Sequence, residues 1–367
     1  MNIDKYLRLK IGNFQNANEP LLGIFNSIAK FLDLEVPVVT IRSKKGDIYQ
    51  VVQDDGSRFI LWDMTYWDTF SHYLDSRLLL DARNVDIVSL FKRMSLNFCY
   101  YFAGYSSTWK NTEHKLMRHC WVNGYNPNNK CLPTEGYFEE CLTVCKIFAY
   151  MHEIYHAYFG CKPAMKKPIS DRTRHSLNRW PVAVHDILLD FVAEEKSHIE
   201  KQEAIEIVYR LMKGEDDISE EVLADAGAFY QTSYLLFTMF FGNNRDAWPM
   251  LIPKIRNCIF EFRQYSSLLT SLKQMLYNIE FRWEESPEEI LERHKQRTIE
   301  IIHREFVDLF VELDQLGMLF PSFDMDQLLK AYDSDTMKPY RKNYFKYVKP
   351  YFEDFTKEYL IPILIRP

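Results

Sequence analysis

Residues 136–160 read GYFEECLTVCKIFAYMHEIYHAYFG. Phe138, Cys141, Cys145, Phe148, His152, His156 and Phe159 recur at steps of mostly three and four, the spacing of one face of an α-helix. This periodicity predicts a helix over 136–160 whose inward stripe passes through two histidines. Inside it, His152-Glu153-Ile154-Tyr155-His156 has the form H-E-x-x-H. Side chains four apart on a helix lie one turn apart on one face, so both imidazoles can reach a single metal ion. The glutamate between them leans over the same side, where its carboxylate can accept a proton from a water at that ion.

The rest of the chain is ordinary globular material. It has 367 residues, 47% hydrophobic and 26% charged, which suffices for a sizeable core. At ~150 residues per domain the length suggests about two domains, or one with a large elaboration. With 12 Gly and 15 Pro the chain is too poor in turn residues for an all-β sandwich or a collagen-like repeat, and should be mainly helical. Lys plus Arg number 45 and Asp plus Glu 51, for a net charge of −6, so no overall field attracts nucleic acid or an anionic membrane. The opening MNIDKYLRLKIGNF lacks the apolar core of a signal peptide, and the best apolar run, 234–241, is far shorter than the ~18 residues that span a bilayer. A cytoplasmic protein is expected, with neither membrane nor nucleic acid as partner. Seven cysteines without a C-x-x-C pair argue against a disulfide framework and against a cysteine zinc site.

Outward from the motif, the pattern predicts a helix over 21–34 and strands over 36–41, 48–53 and 59–62, with Asp55-Gly56 as a hairpin turn. Helical spacing returns over 86–102, and 104–135 reads as a long loop. After the motif helix comes a basic, proline-containing loop (161–180). A second helix follows from Pro181 to Lys213-Gly214. A third begins after Asp217-Ile218-Ser219-Glu220, which resembles a capping box, and runs to about 241. Ser286-Pro287-Glu288-Glu289 starts a further helix and Leu316-Gly317 stops it. Ile290, His294, Ile301, Phe306, Leu309 and Leu313 form its apolar-leaning face.

Two histidines do not complete a catalytic zinc site, which usually has three protein ligands and an open position. A metzincin would continue with Gly at 159 and His at 162; the chain has Phe159 and Lys162, which excludes that clan. The alternative is an acid on a later helix, either on the 181–213 helix, where Glu194 and Glu195 are candidates, or at Glu220-Glu221. Glu220 already has a capping task at its helix terminus, and only Glu221 has an aspartate, Asp225, four residues on. His-Glu-x-x-His followed by Glu-x-x-x-Asp resembles the gluzincin zinc peptidases. In layout the chain is similar to the soluble bacterial group that includes the Lit-like phage-exclusion peptidases.

The resemblance implies that Glu221 is the third ligand to Zn²⁺ beside His152 and His156. It also implies that Asp225 hydrogen-bonds a ligating histidine. Ala224, Ala226, Gly227 and Ala228 would let this helix approach the motif helix closely, while bulky Tyr155 would narrow the cleft. The expected fold class is α+β and predominantly helical: a zincin-like catalytic core (111–245), a mixed N-terminal part with a small β-sheet (1–110) and a helical C-terminal region (246–367).

Other features are weaker. On the inserted helix, Asp186 and Asp190 continue an acidic face, and His185 is a candidate oxyanion contact. Tyr230, followed by Tyr234, is a second candidate for oxyanion or substrate contact. The strand over 58–62 is either an edge to which an extended peptide adds or a hairpin covering the core. The basic loop is either a solvated charge run or a lid that meets an acidic substrate segment. The aromatic-basic stretch over 338–352 alternates with acidic segments and reads as helix packing surface. The expected function is a cytosolic zinc-dependent peptidase acting on protein or peptide, with Glu153 as general base. The alternative is a non-catalytic helical interaction protein with a structural or vestigial zinc site.

Overall fold

The computed structural model describes residues 3–43, 46–83, 137–179, 198–241, 248–281 and 286–319. The expected helix over 86–102, the loop over 104–135, the segment 181–197 with His185, and the stretch 338–352 lie outside the described residues. The chain divides into two compact units. One comprises Met1–Glu139, Leu268–Arg293 and Tyr347–Pro367; the other comprises Glu140–Ser267 and His294–Lys346. The described residues are mostly helical with a small N-terminal sheet.

In the first unit, α1 (Ile3–Tyr6) runs into a π-helical turn (Leu7–Ile11), followed by β1 (Phe14–Asn16), α2 (Leu22–Phe31), β2 (Val38–Ser43), β3 (Ile48–Val52), β4 (Arg58–Asp63) and α3 (Met64–Arg83). The strand order is β1-β2-β4-β3, with β2 and β4 parallel and the other pairs antiparallel. The expected hairpin joins β3 to β4: Gly56 takes a φ of +80° and Asp55 Oδ1 accepts from Ser57 N at 3.0 Å. The strand once eligible as a peptide-binding edge is β4, and it is central, paired on both sides. The residues explain why. Phe59 and Leu61 join a core with Leu7, Ile11, Ile41 and Val51, while alternate Trp62 packs on Phe25 and Trp67. A strand apolar on both faces needs cover on both, which an edge seldom has. Asp63 closes β4, accepting from Ser43 N, Gly46 N and Thr65 N at 3.0, 3.1 and 3.0 Å.

In the second unit, α4 (Tyr137–Cys161) is the predicted motif helix. Cys141, Cys145, Phe148 and Phe159 are buried as its stripe requires, but so are Ile147, Tyr150, Met151, Ile154 and Ala157. A helix apolar on most sides is largely an inner helix, and α4 leaves only its ends exposed and its histidine face partly so. A 3-10 turn (Pro163–Met165) leads to α5 (Lys166–Arg179), where a loop was expected. Pro168 stands at the third position of α5, where no intrahelical N–H bond is lost. The buried face of α5 includes Thr173 and Ser176 beside Leu177, so hydrophobic spacing does not reveal it.

Then come α6 (His198–Lys213), α7 (Glu220–Phe241), α8 (Trp248–Phe281) and α9 (Pro287–Leu319). Residues 268–281 and 287–293 of the last two belong to the first unit. Gly214 ends α6 with a φ of +74°, as read from the sequence. Ser219 Oγ caps α7, accepting from Val222 N at 3.3 Å. Ser286 and Glu289 cap α9 reciprocally, at 2.6 and 3.2 Å. α9 continues past Gly317 to Leu319, so that glycine is not a stop. Among the described residues no helix is long and apolar enough to cross a membrane.

Candidate metal centre

α4 places His152 and His156 one turn apart, with ring centroids 4.7 Å from each other and the two Nε2 atoms 3.0 Å apart. The first turn of α7 brings Glu221 to them. Its Oε2 lies 3.4 Å from His152 Nε2 and its Oε1 3.3 Å from His156 Nε2. A tetrahedral ion with bonds of ~2.0–2.1 Å to nitrogen and oxygen separates its ligands by roughly 3.3–3.4 Å. The three residues thus span a triangle of the right size. Among the described residues they are the one group of three or more His, Cys, Asp or Glu side chains so placed. Glu194 and Glu195, the competing acids, lie outside the described residues.

The far side of each ring is also held. His152 Nδ1 donates to Asp225 Oδ1 at 2.7 Å, and His156 Nδ1 donates to Glu220 Oε1 at 3.0 Å. A carboxylate only accepts, so each Nδ1 carries a hydrogen, and a metal that displaces the proton from each Nε2 would find its lone pair aimed at Glu221, the ligating arrangement. The hydrogen bond that the resemblance implied for Asp225 is made to His152. Glu220 does not act as a helix cap: it orients His156 and pairs with Lys166.

Electrostatics follow from this geometry. Burial disfavours a charged His152, but Asp225, Glu221 and Glu153 outweigh it and push the ring up to about 10. Burial likewise opposes charge on His156, and Glu221 and Glu220 still raise it against the repulsion of His152. Hydrogen bonds from both histidines, with help from Arg304, hold Glu221 well below the usual carboxylate range. The point where the two Nε2 atoms and the Glu221 carboxylate meet is therefore a strong attractor of positive charge, proton or metal.

Close approach of α7 to α4 makes these contacts. Ala224, Ala226 and Ala228 are buried, and a Cβ at Gly227 would sit 2.6 Å from Cε1 and Cζ of Tyr155. Tyr155 is thus buried against α7 and fills the helix interface, which corrects the expectation that it narrows a cleft. From α8 and α9, two arginines hold the other oxygen of Asp225. Arg263 Nη2 lies 2.7 Å from Oδ2, and Arg304 Nε donates to the same atom. Arg304 Nη2 also reaches within 3.5 Å of Glu221 Oε2. Arg263 pairs in turn with Asp308 and lies 3.7 Å from Glu305 Oε1. Burial works against charge on Asp225, yet Arg263, Arg304 and His152 keep it far below its ordinary value.

Sequence reading gave Glu220 a capping task instead of the bond to His156, and missed Arg263 and Arg304. A signal existed for two of them. His156 needed an acid as much as His152 did, and Glu220 adjoins Glu221. Arg256 and Arg263 stand seven apart among apolar residues of α8, on one buried face. Nothing nearby marks Arg304. Glu153 is half-buried between the histidines, and its charge favours protonated His152. Tyr230 is half-buried on α7 and stacks on Tyr234 with centroids 6.4 Å apart. Comparison of the chain with protein-family models, curated proteins and solved structures gives no match.

Two outcomes follow. In the metal-free chain the folded pKa of His152, about 10, exceeds the ~6.5 of an unfolded histidine. Its contribution to stability is complete below pH ~6.5 and is lost as pH rises through 10. Thermal unfolding under chelator should show this decline, and saturating zinc should suppress it by taking the proton's place. Arg304→Met, which leaves Asp225 to Arg263 alone and removes the guanidinium from Glu221, should weaken zinc binding ~10- to 100-fold in chelator competition while the circular dichroism of the fold is retained. Unchanged affinity would show that the guanidinium does not hold the site.

Proposed function

We propose that the chain is a zinc-dependent peptidase with a zincin-like core, in which His152, His156 and Glu221 hold the metal. The observation that carries this reading is a triangle of three protein donors with each ring's Nδ1 fixed by an acid. Three ligands and an open position is the catalytic pattern; a structural zinc site is closed by four. Glu221 is half exposed and both histidine side chains are 15% exposed, so the triangle is reachable from solvent.

A zinc ion in this site supplies Lewis acidity, lowering the pKa of water from 15.7 toward ~7 and polarising a scissile carbonyl. The protein's own groups do the rest. Asp225 and Glu220 fix the tautomer and direction of the two rings. Glu153, on the same helix, takes the proton of the attacking water and returns it to the leaving amine nitrogen. Tyr230 and His185 are the donors proposed for the oxyanion of the tetrahedral intermediate. The substrate is a protein or peptide. The free cysteines Cys141, Cys145 and Cys258 in the core support work in the reducing cytoplasm.

The test is a comparison of three proteins. The wild type should purify with one zinc per chain and cleave peptide bonds. Glu153→Gln should keep the zinc and lose ~10²- to 10⁴-fold in rate, whereas His152→Ala should lose metal and activity together. Equal cleavage by wild type and Glu153→Gln would contradict the mechanism. Bound zinc without any hydrolysis would favour the non-catalytic alternative.

A further inference from the structure

We propose that the site selects substrates carrying an acidic segment, which lies along the exposed face of α5; the cleavage itself rests on the peptidase reading above. α5 carries Lys166, Lys167, Arg172, Arg174 and Arg179 against the single acid Asp171, in a chain whose net charge is −6. This local excess of positive charge begins at the rim of the metal centre. Lys166 Nζ pairs with Glu220, whose other oxygen accepts from His156 Nδ1 at 3.0 Å. One carboxylate thus separates the first residue of α5 from a ligand ring.

The cations of α5 divide by use. Arg174 donates to the Asp216 carbonyl at 2.8 Å, and Arg179 pairs with buried Asp314, so these two fasten the helix down. Lys167 and Arg172 are exposed and make no ion pair among the described residues. Arg172 shares a helical face with exposed His175, three residues on. α5 packs against α7, where Tyr230 and Tyr234 stack and Tyr234 is 50% exposed. Burial raises the pKa of both Tyr230 and Tyr155, and the charge of Arg172 works against that rise, which places it on that side of the helix.

The centre itself presents Glu153, Glu220 and Glu221 to an incoming chain. Without α5 such a surface would repel acidic peptide; with it, a helix whose first residue pairs with Glu220 carries cations that make no ion pair among the described residues and can receive one. Nucleic acid fits less well. Phosphate-backbone binding draws on roughly six to ten cationic contacts, and α5 offers two cations without an ion pair among the described residues, on an acidic protein.

The experiment uses the full chain, zinc-loaded, and three quenched-fluorescence peptides with one core sequence flanked by Glu, Gln or Lys. The Glu peptide should be preferred over the Gln peptide by about tenfold in kcat/KM at low salt, through KM, at about threefold per charge. The preference should vanish near 0.5 M salt. The double variant Lys167→Glu/Arg172→Glu should abolish it without changing kcat on the Gln peptide, and Asp171→Asn should strengthen it. Fluorescence anisotropy of the labelled Glu peptide on the Glu153→Gln protein reads the same preference without catalysis. Equal binding of the three peptides, indifference to the double variant, or tighter binding of a single-stranded RNA oligonucleotide would overturn the proposal. Preferential binding without cleavage would overturn the peptidase reading and leave this one standing; cleavage without preference would do the reverse.

Discussion

The contact on which the rest depends is the grip of one helix on the back of two rings. α7 extends Glu220 and Asp225, five residues apart, to the Nδ1 atoms of His156 and His152, and between them sends Glu221 to the Nε2 side. The three acids surround both imidazoles from front and back within the first two turns of a single helix. That is possible only because α7 lies against α4 at the distance that Gly227 allows over the Tyr155 ring. The small residues of α7 and the acids before and among them are parts of one device: the first bring the backbone in, the second use the closeness.

So many carboxylates around a buried point demand compensation, and the structure supplies it from two sources. Behind Asp225, Arg263 and Arg304 enter from α8 and α9, with Asp308 and Glu305 completing a buried network of alternating charge. Removing one partner of such a network leaves an uncompensated buried charge, at a cost of about 3–5 kcal/mol. In front, at the Nε2 atoms, the compensating charge has to come from outside, as protons or as a metal cation. The helices of the C-terminal third are therefore tied to the site electrostatically. They hold the aspartate that holds the histidine.

The helix over 137–161 was legible because its motif and stripe coincide within one short window. The hairpin at Asp55-Gly56, the stop at Gly214 and the reciprocal cap of Ser286 and Glu289 were legible for the same reason, since turn and cap chemistry is local. Glu221 and Asp225 could be named through their spacing and a family likeness. What stayed hidden involves partners far apart in sequence, or a buried face made of polar atoms. α5 turns Thr173 and Ser176 inward, and Ser176 meets Asp314 across 138 residues. α3 buries Thr65 and Thr69 among its aromatics, which breaks the apolar rhythm. Arg304 reaches Asp225 across 79 residues, a pairing no local pattern encodes. That 58–63 is central rather than an edge depended on β2 pairing with it in parallel, across the intervening hairpin strand.

The central claim is that two imidazole nitrogens and one carboxylate form a metal-binding triangle. Anomalous diffraction at the zinc edge, on crystals of the chain loaded with one equivalent of zinc, tests it most directly. The account predicts a single strong peak ~2.0–2.1 Å from His152 Nε2, His156 Nε2 and a Glu221 oxygen. A zinc-loaded crystal with no peak there, or with its peak on other side chains, would contradict it.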